Sequence, residues 1–374
     1  MSQRSLPGSR SLPGSRQLSP LRSHSNGRNP QLDPAVKVSE DPAEHPALHS
    51  GGAAVITGGA NGIGFAAAEL FAGLGLRIVL ADIDQEGLSK ARKKLENIVK
   101  DPDTNLLTVH MDVSKPEDVQ RLKEVAFEAF GEVSVLLNNA AVGLKGTSFG
   151  EMENWKKVMD VNLWGVINVQ HVFAKAMVLQ ENPSIIITTG SKQGITNPPG
   201  NAAYNASKAA VKSIVEGLAY ELYTSEAPVT AHLFIPGWTY TNMTRNPNPT
   251  PEFDITGKPI KEQKPAGAWT AQQTVQYMID RVRLGDFYIV CPDNETSPQL
   301  DRLRMRWGAD DACENRPALS RWHPEWKARF DDYIKEGMAD ERRRRQSPFR
   351  RMMVTEGDAG GDELSSWKKR GLAD

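Results

Sequence analysis

The middle of the chain alternates between short apolar runs and longer stretches whose apolar residues recur at helical spacing. The runs are AAVIT (53–57), RIVLAD (77–82), LLTVHM (106–111), VSVLLNN (133–139), SIIITT (184–189), VTAHLFI (229–235) and FYIVC (287–291). Most are continuously apolar and β-branched, the pattern of strands covered on both faces. Between them the spacing predicts helices, among them 64–72, 116–130 and one starting near Gln85. Ser114 stands where it could cap the second of these, with Pro116 in its first turn. Seven strands with intervening helices predict an α/β fold, a doubly wound, mostly parallel seven-stranded sheet in a single domain. Ligands of such sheets bind beyond the carboxyl ends of the strands, so the residues after each run are the ones to inspect.

The alternation stops at both ends. Residues 1–45 are rich in Ser, Pro, Gly and Arg and repeat RSLPGS at 4–9 and 10–15. Such a segment cannot bury enough apolar surface to offset its ordering entropy, and it is expected to be disordered. Its arginines precede any acidic residue, as in an organelle transit peptide, but Pro7, Pro13 and Pro20 would break the amphipathic helix of such a signal. A solvated tail on a cytoplasmic protein is the favoured reading, with a mitochondrial address as the alternative. A dinucleotide-binding domain is expected over 46–295, with an insertion at 242–268. A helical extension over 296–335 and a second disordered, charged tail over 336–374 would follow.

Composition narrows the classes of function. The chain is 39% hydrophobic and 24% charged, as a soluble globular protein should be. Its net charge of -1 lacks the basic field that non-specific nucleic-acid binding needs. No apolar run approaches the roughly 18–20 residues of a membrane-crossing helix. Cys291 and Cys313 are the two cysteines; neither has metal-ligand spacing around it, and no metal site is expected.

The first strand is followed by TGGANGIG (57–64) and then by the helical FAAAELFAGLG. Glycines let this turn approach a pyrophosphate, while the helix start offers unpaired N–H groups. The second strand ends at Asp82, 18 residues past Gly64. A carboxylate there can accept both ribose hydroxyls of an adenosine and would repel a 2′-phosphate. Neither the loop nor Ile83 offers a cation for that phosphate, so NAD is favoured over NADP. Further on, AAYNASKAAVKS (202–213) places Tyr204 four residues before Lys208, on one face of an alanine-rich helix. By itself that pair reads equally as a surface phenol beside an ammonium.

The loop TGGANGIG, the pair Asp112-Val113, NNAA (138–141), Asn162, Ser191, YNASK (204–208) and PGWTYT (236–241) occur in the order of the short-chain dehydrogenase/reductase family, which the chain resembles over about 52–291. The resemblance implies a Rossmann-like fold and a Tyr204, Lys208, Ser191, Asn162 tetrad. It implies cofactor contacts from Gly58, Asn61, Gly62, Ile63 and Gly64 to the pyrophosphate, and from Asp112 and Val113 to the adenine. Asn139 and Ala140 would line the cofactor's path, Lys208 would reach its ribose, and Thr239 and Thr241 would hold the carboxamide. Asn162 would help hold a water relay near the lysine. Three departures stand out: Ala141 replaces a glycine, Gly190 a common serine, and Thr239 an aliphatic residue.

These groups suit hydride exchange between a secondary alcohol and a ketone. A free tyrosine is a poor base at neutral pH; positive charge from Lys208 and oxidised nicotinamide is expected to lower the Tyr204 pKa. Ser191 would donate to the substrate oxygen. The Pro-rich 242–268 falls where the family places a substrate lid. The tryptophans Trp307, Trp322 and Trp326 could pack the extension onto the domain or meet another subunit. By analogy with the family a homodimer or homotetramer is expected, acting on a small-molecule alcohol or ketone, without nucleic acid or membrane. The rival reading is a catalytically inactive dinucleotide sensor or scaffold on the same fold.

Overall fold

The computed structural model describes residues 45–244 and 264–346. In chain order they form β1 (Ala53–Thr57), α1 (Gly62–Gly73), β2 (Arg77–Asp82), α2 (Gln85–Leu95), the single turn α3 (Pro102–Asn105), β3 (Leu106–His110) and α4 (Pro116–Phe130). Then come β4 (Val135–Asn138), α5 (Met152–Met159), a π-helical turn (Asp160–Gly165), α6 (Val166–Leu179), β5 (Ser184–Thr189), α7 (Gln193–Thr196), α8 (Ala202–Thr224) and β6 (Val229–Ile235). The rest is β7 (Thr239–Tyr240), β8 (Trp269–Thr270), α9 (Ala271–Arg283), β9 (Tyr288–Val290), α10 (Pro298–Cys313), a 3-10 turn (Ser320–Trp322) and α11 (Lys327–Gln346).

Seven strands make one sheet in the order β3-β2-β1-β4-β5-β6-β9, and every pairing in it is parallel. Their apolar runs are continuous because both faces are covered. Side chains such as Phe71, Leu80 and Val275 fill one face under α1, α2 and α9. Leu122, Phe173 and Leu222 fill the other under α4, α6 and α8. Each fully buried side chain of this size contributes roughly 1.5–3 kcal/mol. β1 pairs with β2 on one side and β4 on the other, with Val55 opposite both Val79 and Leu136. The crossovers that leave β1 and β4 pack on opposite faces, which opens a crevice at the carboxyl ends of those two strands.

Helix starts show where local chemistry fixed the chain. Asp84 caps α2 by accepting from Gly87 N–H, and Thr270 with Gln273 forms a reciprocal capping box on α9. Ser114, expected to cap α4, does not do so. Lys115 takes the cap position without a side-chain bond, and the Ser114 hydroxyl donates instead to Asp112 Oδ1 at 2.7 Å. An aspartate two residues back simply outcompetes the helix terminus for that hydroxyl. Pro116 does sit in the first turn. α1 begins at Gly62, two residues earlier than its apolar pattern suggested.

The expected insertion, 242–268, is pinned at its base by a small parallel pair that the sequence did not announce. Thr239 stands opposite Trp269 and Tyr240 opposite Thr270; residues 245–263 lie outside the described residues. So do residues 1–44 of the tail expected over 1–45, and residues 347–374. The tail expected from 336 needs correction, because 336–346 continue α11. That helix carries pairs at i,i+3 and i,i+4 spacing, Lys327 with Asp331, Lys335 with Asp332 and Arg343 with Asp340, which favour helix even in a strongly charged sequence. No helix among the described residues is long and apolar enough to cross a membrane.

The extension has a core of its own. Trp307 is 5% exposed, lies against Trp326, Phe330 and Tyr333, and donates its indole N–H to Ser320 Oγ at 2.6 Å. Trp307→Ala is therefore expected to cost about 3–5 kcal/mol in the stability of the extension. Amide exchange should show α10 and α11 losing protection while the sheet keeps its own; equal protection in both proteins would refute this packing.

Candidate active site

The crevice is a cleft of about 860 Å³, and nearly all of the residues the sequence singled out line it. At one end Gly58, Asn61, Gly62 and Ile63 form the wall. Gly58 has φ +66°, in the left-handed region, and a Cβ on Gly64 would fall 2.1 Å from the Gly58 carbonyl oxygen. Only glycines let the chain double back this tightly onto α1. Asn61 starts α1 without a side-chain capping bond, and the first turn holds no acidic residue. Its first N–H groups are thus left for an anion, which is what a pyrophosphate requires. Gly64 shapes this turn from behind and is not part of the wall.

Asp82 accepts from Ala60 N–H on Oδ2 and from Asp84 N–H on Oδ1, both at 3.0 Å. The carboxylate is fixed at the cleft edge, and each oxygen keeps lone-pair capacity for a hydroxyl. Asp112 and Val113 line the same half. Asp112 Oδ1 is occupied by the Ser114 N–H and hydroxyl, while the Asp112 N–H donates to Asp118.

Asn139 lines the cleft with Ala140, and its side chain also ties three strand ends together. Its Nδ2 donates to the carbonyls of Thr57 (3.1 Å) and Gly58 (3.4 Å), and its Oδ1 accepts from the Thr189 hydroxyl at 3.1 Å. The Thr57 hydroxyl accepts in turn from the Asn139 and Ala140 N–H groups. From Thr189 the chain of bonds reaches Lys208, whose Nζ donates to the Thr189 carbonyl at 2.8 Å. One hydrogen-bonded line thus runs from the glycine loop to the lysine.

At the other end Ser191, Tyr204 and Lys208 come together. The Ser191 hydroxyl lies near enough to the Tyr204 phenol to pull its pKa down, and the Lys208 ammonium stands 5.9 Å from the centre of the tyrosine ring. Burial lowers the Lys208 pKa to about 8. The Tyr204 pKa moves opposite to expectation: burial raises it above the ordinary phenol value, against the pull of the neighbouring Ser191 hydroxyl. In the protein alone, desolvation of the phenolate wins.

Asn162 is fully buried in the π-helical turn and does not line the cleft. Its Oδ1 accepts from Val142 N–H at 2.8 Å and its Nδ2 donates to the Val142 carbonyl at 2.9 Å. The same Nδ2 lies 3.5 Å from Ser207 Oγ, and Ser207 bonds the Tyr204 carbonyl. Its amide thus ties the exit of β4 to the turn of α8 that carries the tyrosine.

Thr239 and Thr241 both line the cleft, but their hydroxyls are engaged with Thr274 and Thr244. Sequence reasoning missed several wall residues. Met243 stands at the base of the insertion, packed where a Cβ on Gly143 would meet it at 3.0 Å; Trp238 and Lys192 also line the wall. Trp238 lies inside the recognised PGWTYT and Lys192 follows Ser191, and those positions were the available signal.

A family model for short chain dehydrogenase matches residues 52–252. A CLA biosynthesis dehydrogenase/reductase of Lactiplantibacillus plantarum is 31% identical, over 54% of this chain and 70% of that protein. A 3beta-hydroxysteroid dehydrogenase 2 of Eggerthella lenta is 30% identical, over 54% of this chain and 76% of that protein. A crystal structure of a short-chain dehydrogenase/reductase from Burkholderia phymatum in complex with NAD superposes with a TM-score of 0.61 at 29% identity, covering 72% of this chain and 96% of that one. The fold and cleft define a Rossmann-like oxidoreductase of the kind that uses NAD(P). The chain belongs to the short-chain dehydrogenase/reductase family.

Replacing Asn139 with alanine would leave the Thr57 carbonyl and the Thr189 hydroxyl without their partner. A loss of about 1–3 kcal/mol in unfolding free energy is expected, together with weaker dinucleotide binding. Denaturant titration and a binding isotherm check this; an unchanged pair of values would show that Asn139 is not the tie described.

Proposed function

We propose that the chain interconverts a secondary alcohol and a ketone, with NAD as the preferred cofactor. The observation that carries this reading is the convergence of Ser191, Tyr204 and Lys208 in one cleft whose opposite end presents Asp82. The cleft fits a dinucleotide: uncapped N–H groups for a pyrophosphate, and a fixed carboxylate where a ribose diol would lie. NAD, when bound, supplies the hydride acceptor for oxidation and, in its reduced form, the donor for reduction.

The protein's own groups hold the substrate oxygen and move its proton. Ser191 donates to that oxygen and keeps it beside Tyr204, stabilising the charge that grows on it. Tyr204 takes the proton from the alcohol or returns it to the ketone. Lys208, held by the Thr189 carbonyl, keeps its ammonium beside the phenol and favours its ionised form. Asn162 acts through the backbone, as the link from Val142 to the tyrosine's turn. A water relay at this residue would have to use its main chain, because its amide is engaged.

The substrate class is a small or medium alcohol/carbonyl pair. The relatives' names, a dehydrogenase/reductase and a hydroxysteroid dehydrogenase, support a CH–OH group as the reacting centre. Assembly into a homodimer or homotetramer through the helices bearing Asn162 and Tyr204 belongs to the same proposal. Exposed Trp164 and Tyr220 support it.

Tyr204→Phe should bind NADH as the wild type does and lose turnover by about 10²-fold or more across a panel of alcohols and ketones. Unchanged turnover would remove Tyr204 from its role. The pH dependence has a definite sign. Oxidation needs the phenolate, and burial holds the Tyr204 pKa up, so the oxidation rate should climb as pH rises through that pKa. Reduction needs the phenol and should decline over the same interval, which initial rates in both directions will show.

Asp82→Ala should weaken NAD binding and relax discrimination against NADP, read as the ratio of kcat/KM for the two cofactors. A wild-type preference for NADP would overturn the assignment of Asp82.

A further inference from the structure

The residue after the serine, Lys192, is tied to the C-terminal extension. Its Nζ lies 2.6 Å from Asp301 Oδ2 on α10 and 3.5 Å from Asp293 Oδ2, and all three side chains are largely buried, at 21%, 7% and 6% exposure. Asp293 is held in turn: its Oδ2 accepts from Trp238 N–H at 3.0 Å, and its Oδ1 from the N–H groups of Glu295 and Thr296. Three loops that end at the reacting side of the cleft therefore meet on one ammonium. They are the Ser191 loop after β5, the Trp238 loop after β6 and the segment between β9 and α10.

The opposite side of the serine loop is clamped as well. A Cβ on Gly194 would come within 2.5 Å of the Lys208 backbone, so α7 lies directly on α8 at the catalytic lysine. The Ser191 Oγ accepts from Gln193 N–H at 3.1 Å, and Gln193 Oε1 accepts from Asn201 Nδ2 at 3.2 Å. The short helix is thus gripped between α8 on one side and α10 on the other. A buried ion pair gives little net stability, because desolvation offsets the attraction; what it fixes well is geometry.

We propose that Asp301 is a positioning residue for the reaction, holding Lys192 and with it the Ser191 loop, so that the C-terminal extension completes the active site. The inference rests on the reading of Ser191 and Tyr204 given above. It assigns the extension a role in catalysis that the sheet and cleft alone do not supply. Asp301 itself touches neither substrate nor cofactor in this account.

Asp301→Asn and the charge-balanced Lys192→Gln/Asp301→Asn, which removes one charge of each sign and leaves Asp293 its backbone N–H donors, test it in the full-length protein, with Lys192→Gln alone as the reference. Both should bind NADH normally, and kcat on the best alcohol of the panel should fall about tenfold or more, as small displacements of a reacting group do. The fall in the double variant should be no larger than that of Lys192→Gln alone, since the two residues act as one unit. A second readout needs no substrate: near-ultraviolet titration of the Tyr204 phenol, taken as the difference from Tyr204→Phe. A loosened Ser191 should raise the Tyr204 pKa in the double variant, where the removed charges cancel. If the carboxylate acted only through its charge, Asp301→Asn would lower that pKa. Wild-type kcat and an unmoved phenol in the double variant would overturn the proposal, as would a loss confined to Lys192→Gln with Asp301→Asn unaffected. Full turnover by Tyr204→Phe would instead overturn the reading on which the proposal rests.

Discussion

A single asparagine side chain spans the point where the sheet divides. Asn139 closes the gap between the ends of β1, β4 and β5, and through Thr57 and Thr189 it connects the glycine loop to Lys208. A crevice at a topological switch point is a weak place in a sheet, because neighbouring strand ends there lose their common cover. The amide restores rigidity with bonds that point sideways and leaves the upper surface of the cleft to a ligand. The glycine turn and the side chains of Ser191, Tyr204 and Lys208, although separated by roughly 130–150 residues of sequence, thus become parts of one rigid frame.

The sheet was legible in the sequence because its strands are buried on both faces and read as uninterrupted apolar runs; β1, β2, β5 and β6 match theirs residue for residue. Helix starts were less legible. Ser114 looked like a cap, but its hydroxyl had a nearer carboxylate to bond, a competition that spacing does not reveal. The pair β7–β8 was invisible because two-residue strands have no periodicity. The end of α11 was misjudged because composition marks a charged segment as solvated but does not weigh its i,i+3 and i,i+4 pairs.

For the site, the structure brings most of the residues singled out in the sequence to one cleft and shows bonding partners that the sequence did not. Tyr204, Ser191 and Lys208 converge as their motif spacing implied, yet burial moves the tyrosine away from easy ionisation rather than toward it. Asn162 was read as a residue of the reacting centre, and its amide proves to be a structural link from Val142 to α8. Long-range partners were out of reach of sequence altogether. The bond from Asn139 to Thr189 and the ion pair from Lys192 to Asp301 join residues that no motif brings together.

The central claim is that one dinucleotide lies along this frame, from Asp82 to Tyr204. A crystal structure of the protein grown with NAD tests it most directly. The account predicts the adenosine ribose on Asp82, the pyrophosphate against the N–H groups at Gly62 and Ile63, and the nicotinamide ring beside Tyr204 and Ser191. A dinucleotide bound outside the crevice, or in the reverse direction with its adenine at Tyr204, would contradict it.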